Sequence, residues 1–243
     1  KFYRLEYDGV DVSVTHEHGD TVTRYGTPYG VLTMRESMSN DLKEAAGAGA
    51  RVEFPFKSSA DYDALQYLLD HGRVVDNLDE YGRFVDGIGD DGVALAFAGW
   101  LPAHELMLHY MGYERFYYEL ADHPARVEAL IASLTARQER VLAIAAQCPA
   151  RAIEVGGNYD EAMTPPPIFD ALFAPSYRRA RRFLNAHDKI LVVHGDGEMR
   201  RLLTCLRDCD VQVVEAVTPQ PMTSIDVAET RRLWQDRVAM WGG

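Results

Sequence analysis

From about residue 92 to its end the chain repeats one unit: a short apolar run, a polar turn, then a segment of helical period. The apolar runs are Val93 to Ala98, Arg151 to Val155, Lys189 to Val193, Val211 to Val214 and Arg237 to Trp241. Between them lie predicted helices: one after Gly99-Trp100-Leu101-Pro102 through Leu120, one opened by Asp122-His123-Pro124, then Ile168 to His187, Glu198 to Asp208 and Val227 to Asp236. In the second of these, Val127, Leu130, Ile131, Leu134, Val141 and Ile144 recur at helical spacing. Short apolar strands alternating with helices imply parallel pairing, with the sheet buried on both faces. Five such strands fit an α/β barrel or an open doubly wound sheet. The glycine fingerprint of a nucleotide fold is missing: Gly87-Ile88-Gly89 precedes its strand, and His194-Gly195-Asp196-Gly197 has no third glycine at the required spacing. The barrel is therefore the expected architecture.

The first fifty residues read differently. Alternation over Phe2 to Tyr7, a turn at Asp8-Gly9 and Val10 to Thr15 predict a hairpin, and Thr21 to Tyr25 and Val31 to Met34 add short strands. His16-Glu17-His18 falls at a turn of this antiparallel excursion and is read as solvated polar residues rather than a metal site. Ser58-Ser59-Ala60-Asp61 supplies capping chemistry for a helix whose apolar side is Leu65, Tyr67, Leu68 and Leu69. The expected organisation is a single domain over 1–243, with the excursion over 1–50 and β/α repeats over 51–243.

Composition narrows the partners. With 25 Lys and Arg against 37 Asp and Glu, the net charge of -12 repels phosphate backbones and anionic lipid, which argues against nucleic acid and membranes. The apolar stretch Leu95 to Leu101, even with Val93 and Ala94 before it, is far short of the roughly 20 residues of a membrane helix. Three cysteines, Cys148, Cys205 and Cys209, form no disulfide framework, which points to a reducing cytoplasm. Cys205 and Cys209 share a helix face but lack a second ligand pair, so they read as buried small residues. Arg178, Arg179, Arg181 and Arg182 sit mid-helix and read as a solvated face.

In a parallel α/β fold the site forms beyond the carboxyl ends of the strands. Three successive junctions are strongly polar: Glu154 with Gly156-Gly157-Asn158-Tyr159-Asp160-Glu161, then His194-Gly195-Asp196, then Glu215. Neighbouring strands lie about 4.8 Å apart, so these side chains can converge on one volume. An imidazole among carboxylates makes either a metal site or an acid/base site. His194 and Asp196 leave one strand two residues apart and Glu215 comes from the next; three ligands and an open position form a catalytic pattern. Asp196 can equally cap the following helix, and Glu198 can favour its positive end. Tyr110, Tyr113, Tyr117 and Tyr118, at helical spacing, read as half-buried packing.

The order and spacing of several short motifs resemble the uroporphyrinogen decarboxylase superfamily. The residues are Gly99-Trp100-Leu101-Pro102, Tyr110-Met111-Gly112, Asp122-His123-Pro124, Gly157-Asn158-Tyr159-Asp160 with Pro166 and Phe169, Pro175-Ser176-Tyr177, His194-Gly195-Asp196-Gly197, and Glu215-Ala216 with Thr218-Pro219. The resemblance runs from about residue 25 to the end. It implies a (β/α)8 TIM barrel, incomplete at both ends, with about two strands expected before Lys1 and the last strand and helix after Gly243.

The superfamily contains cofactor-free decarboxylases of porphyrinogens and a methyltransferase branch that includes methylcobamide:coenzyme M methyltransferases. A mouth holding Glu154, Asp160, Glu161, Asp196 and Glu215 repels a polycarboxylate substrate, which favours the methyltransferases. Their His-x-Cys pair and following glutamate correspond to His194 and Glu215, with Asp196 in the first cysteine position. A carboxylate there makes a harder, weaker site than a thiolate. The resemblance thus implies zinc-assisted methyl transfer between a corrinoid, carried by a partner protein, and a small substrate. His194, Glu215 and Asp196 are the metal candidates, Asp160 and Tyr159 the catalytic candidates, and Asn158, Glu154, Trp100 and Tyr110 the substrate contacts. A decarboxylase of porphyrin and heme biosynthesis and a non-catalytic binding barrel are the alternatives.

Overall fold

A computed structural model describes residues 1–37 and 49–242. The part of the expected N-terminal excursion that falls on 38–48, and the terminal Gly243, lie outside the described residues. The chain packs into two compact units. One comprises Lys1–Arg4, Val74–His104 and Thr135–Gly243; the other comprises Leu5–Arg73 and Glu105–Leu134.

The first unit is built on a five-stranded sheet. Its strands are β7 (Leu95–Phe97), β8 (Ala152–Gly157), β9 (Ile190–His194), β10 (Val213–Val217) and β11 (Ala239–Gly242), after β1 to β6 earlier in the chain. Every neighbouring pair is parallel, and the spatial order β7-β8-β9-β10-β11 is also the chain order. A doubly wound sheet reverses order at a switch point, and no reversal occurs among these five strands. Leu191, Val192 and Val193 are consecutive and all at most 1% exposed, so β9 is covered on both faces. Alternate side chains of a strand point to opposite faces, which is why an unbroken apolar run marked this strand in the sequence.

The expected helices are present, with interruptions. Pro102–Glu105 runs into a π-helical stretch, Leu106–Met111, and then breaks at Gly112, whose φ of 76° lies in the left-handed region. Next come Tyr113–Asp122 and the long helix Pro124–Ala145. The expected helix over 168–187 consists of a short turn Pro166–Ile168, a π-helical stretch Phe169–Phe173 and a regular helix Ala174–Asn185. Pro175 accounts for the widened turn, because it lacks an N–H and its ring crowds the carbonyl four residues back. After β9 the helix is shorter than expected, Leu203–Asp208, preceded by a 3-10 turn at Arg200–Leu202. Asp226 caps the helix Val227–Trp234 by accepting from the Glu229 N–H at 2.6 Å.

The second unit carries a four-stranded antiparallel sheet in the order β2 (Asp11–Glu17), β3 (Asp20–Thr27), β4 (Gly30–Ser37), β5 (Ala50–Glu53). The expected hairpin between Phe2–Tyr7 and Val10–Thr15 does not form. Strand β1 (Tyr3–Tyr7) pairs instead with β6 (Gly72–Asp76), and β2 pairs with β3. A local Asp-Gly signal proposes a turn, but strand partnership is decided by non-local burial. The β2–β3 turn is made by His18 and Gly19, both at positive φ; of the His16-Glu17-His18 segment only His18 lies in the turn, while His16 and Glu17 end β2, paired with Thr21 and Asp20. Strand β6 and the helix Leu78–Ile88 were missed, although Leu78, Tyr81, Val85 and Ile88 keep helical spacing.

Within this unit the helix Tyr62–Asp70 buries Tyr62, Ala64, Leu65, Leu68 and Leu69. Tyr62 donates to the buried Glu119 carboxylate at 3.0 Å, and Arg115 and His123 stand 3.7 and 3.8 Å from the same group. Burial and then the Glu119 bond raise the Tyr62 phenol far above its usual value. Tyr62→Phe removes a donor from a carboxylate that is 5% exposed. It is expected to cost about 1–3 kcal/mol in urea denaturation. A change under about 0.5 kcal/mol, the ordinary scatter of surface substitutions, would show that the arginine and histidine suffice.

Candidate functional site

The polar ends of β8, β9 and β10 meet on the carboxyl side of the parallel sheet. Glu215 on β10 is the register partner of His194, the last residue of β9. Residues paired across a ladder point to the same face. The His194 Nδ1 and a Glu215 carboxylate oxygen are 2.5 Å apart, a short charge-assisted hydrogen bond, and the His194 Nε2 lies 3.4 Å from Asp196. Glu154 on β8 is paired with Val192, two residues before His194, and therefore shares its face. One ligand atom from each of Glu154, His194 and Glu215 lies within 4.8 Å of the other two, and all three are half-buried.

Two glycines make this convergence possible. The register between β8 and β9 shifts between Glu154 and Gly157, so that Gly157 lies opposite His194. A Cβ on Gly157, at φ 134°, would stand 2.5 Å from the His194 Cβ and 2.6 Å from its carbonyl oxygen. A Cβ on Gly195 would stand 2.3 Å from Val214, and the Gly195 N–H donates to the Glu215 carbonyl at 2.6 Å. Atoms of the neighbouring strands occupy the space that side chains at these two positions would need, and the imidazole is held against the next strand.

The electrostatics follow from this crowding. Burial alone lowers the His194 pKa, but the Glu215 hydrogen bond and the charges of Asp196, Glu215 and Glu154 outweigh it and raise it. Glu154 is raised above the usual carboxylate range by burial; His194 opposes the rise and Glu215 adds to it. One imidazole among three carboxylates attracts a cation or shares a proton, and repels anions. As ligands, one nitrogen and two carboxylate oxygens suit zinc or a harder divalent ion. Cys205 and Cys209 offer no competing thiolate site, because burial pushes their thiols up to about 11 and about 12.

The other sequence candidates do not belong to this three-donor group, and each has its own surroundings. Tyr159 is 1% exposed; its hydroxyl is 2.6 Å from that of Tyr177, and its ring stacks on His104 at 5.2 Å. The Asp160 carboxylate caps its own turn, accepting from the N–H groups of Ala162 at 2.7 Å and Met163 at 3.4 Å. Asn158 is exposed, at a φ of 53°. Trp100 is half-buried, edge-on to Phe97 and His104. Tyr110 belongs to the other unit, where it is buried and its carbonyl accepts from the Phe56 N–H at 2.9 Å. His104, fully buried beside Tyr159 and Phe173, has no strand-end signal in the sequence and was missed.

Glu198 ties the surrounding loops together rather than serving mainly as a helix-end charge. Its carboxylate accepts from the Ser224 N–H at 2.6 Å and hydroxyl at 2.7 Å, and its carbonyl accepts from the Glu161 N–H at 2.8 Å. Its slight burial would raise the pKa, but the Ser224 and Arg200 hydrogen bonds prevail and lower it. A depressed folded pKa stabilises above the ordinary glutamate value near 4.3, and the contribution is lost as pH falls through the folded value. The stability gap between wild type and Glu198→Gln is therefore expected to be full at neutral pH and to close in acid. Calorimetry showing a gap that widens on acidification would contradict this role.

No protein-family model matches the chain, and no curated protein sequence matches it. Among solved structures the chain is similar to a methyltransferase from Methanosarcina mazei, with a TM-score of 0.55 at 10% sequence identity. The match covers 79% of this chain and 55% of that one, so this chain spans about half the length of the methyltransferase it resembles. At this identity the likeness is one of fold.

Proposed function

We propose that the chain is the barrel core of a methyltransferase in which Glu154, His194 and Glu215 hold a divalent metal, zinc by preference, and a small substrate receives or gives a methyl group. The observation that carries this reading is the pairing of Glu215 with His194, with Glu154 from β8 completing a three-donor group. The parallel sheet with strands in chain order and the structural likeness to a methyltransferase support it. Asp196, at the other ring nitrogen, orients the imidazole and holds its proton. When bound, zinc lowers the pKa of an incoming thiol or polarises a leaving oxygen. Asn158 and Trp100 flank the substrate side, and Tyr159 and Asp160 shape the loop after β8. The methyl group's other carrier is a corrinoid on a partner protein, in a reducing cytoplasm. Among the described residues no helix is long and apolar enough to cross a membrane. The carboxylates that attract a cation also disfavour a porphyrinogen polyanion, so decarboxylation is the weaker reading.

The test is elemental analysis and zinc calorimetry on purified protein. Wild type is expected to hold about one equivalent, and His194→Ala, lacking the only nitrogen donor of the three, is expected to bind at least about 100-fold more weakly. Metal well below one equivalent in wild type, unchanged in His194→Ala, would remove the metal reading.

A further inference from the structure

A second cavity is lined by none of these donors. An open cavity of about 750 Å³ is walled by segments that follow β8, β9 and β10, together with the helix Val227–Trp234. Its size falls in the range of about 300–1,000 Å³ typical of small-molecule pockets. Three arginines line it, Arg200, Arg201 and Arg232, in a chain whose net charge is -12.

The two acids in its wall are already engaged. Glu229 pairs with Arg200 at 2.8 Å, and the Glu161 carboxylate accepts from the Arg201 backbone N–H at 2.6 Å. That leaves the guanidinium groups of Arg201 and Arg232, neither of which has a carboxylate partner among the described residues. Thr204, which carries a hydroxyl, lines the same cavity, and Leu203 and Leu233 supply apolar wall. One guanidinium fork satisfies a carboxylate, whereas two forks and a hydroxyl match the several oxygens of a phosphate group. The volume beyond the arginines, with its leucine wall, suits an organic body.

We propose that this cavity binds a small organic phosphate, with Arg201 and Arg232 gripping the phosphate group and Thr204 donating to it. The site uses none of Glu154, His194 or Glu215, so it stands or falls independently of the metal reading. Because its walls follow the same three strands, its ligand lies on the same end of the sheet as His194.

Calorimetric titration with glycerol 3-phosphate, against glycerol and against chloride at matched ionic strength, tests the proposal. Glycerol 3-phosphate is expected to bind, and neither control to do so. The Arg201→Gln/Arg232→Gln double variant is expected to weaken binding at least about 10-fold, each removed fork costing a charge-assisted hydrogen-bonded contact. Both side chains are exposed, so its melting temperature should stay within about 2 °C of wild type. Thr204→Val, a smaller change, is expected to weaken binding about 3-fold. His194→Ala is expected to leave phosphate affinity within about 2-fold while weakening zinc binding at least about 100-fold, which separates this site from the metal site. Glycerol 3-phosphate binding no tighter than chloride, or affinity retained in the double variant, would overturn the proposal.

Discussion

Gly157→Ala is expected to damage stability and metal binding together. A methyl group at this position would sit 2.5 Å from the His194 Cβ and 2.6 Å from the His194 carbonyl oxygen, and the flexible end of a side chain is not what it meets. Both obstacles are backbone or the first side-chain atom, so the β8–β9 ladder itself must part. The residue also keeps a φ of 134°, which alanine adopts only under strain. Overpacking and backbone strain each cost about 1–3 kcal/mol, for a total of roughly 2–6 kcal/mol. For a chain of this length each kcal/mol lowers the melting temperature by about 2–4 °C. A loss of about 4–24 °C is therefore expected by scanning calorimetry. In molecules that still fold, His194 is pushed off its partner on β10, and zinc affinity should fall by at least about 10-fold. A Gly157→Ala protein with wild-type melting and wild-type zinc affinity would mean that the bulge on β8 does not position the imidazole.

Trp234→Ala is expected to cost about 3–5 kcal/mol, a drop of about 6–20 °C in melting temperature. The indole ends the helix Val227–Trp234, is fully buried, and donates its N–H to the Leu203 carbonyl at 2.9 Å. Truncation removes the largest fully buried side chain of its unit and leaves that carbonyl without its indole donor. Trp234→Phe fills part of the volume but still removes the donor, so it should cost about 1–3 kcal/mol. Urea denaturation of the pair separates packing from hydrogen bonding. A loss under about 1 kcal/mol in Trp234→Ala would mean that the surrounding side chains collapse into the space.

Much of the parallel sheet was legible because a strand covered on both faces must be apolar at every position. Leu191 to Val193 shows this directly: three consecutive residues in the interior, with no alternation to hide the run. The polar residues that end such runs stand out for the same reason, which is why His194 and Glu215 were recognisable before any geometry. The N-terminal strands were less legible. Their alternating pattern marks a strand but names no partner, and β1 found β6 rather than β2.

Amino-acid order alone thus determined the alternation of strand and helix, the acidity of the surface and the imidazole and carboxylates at the strand ends. Tertiary structure decided which of those groups meet. Glu154 joins His194 and Glu215 because it pairs with Val192, two residues before His194, and the slip that follows sets Gly157 rather than a side chain opposite the imidazole, while Asp160 turns back to cap its own loop and Tyr159 sinks beside Tyr177. The physical reason is that side-chain direction along a strand is local, with a period of two, whereas register and bulges are settled by packing between strands distant in the chain.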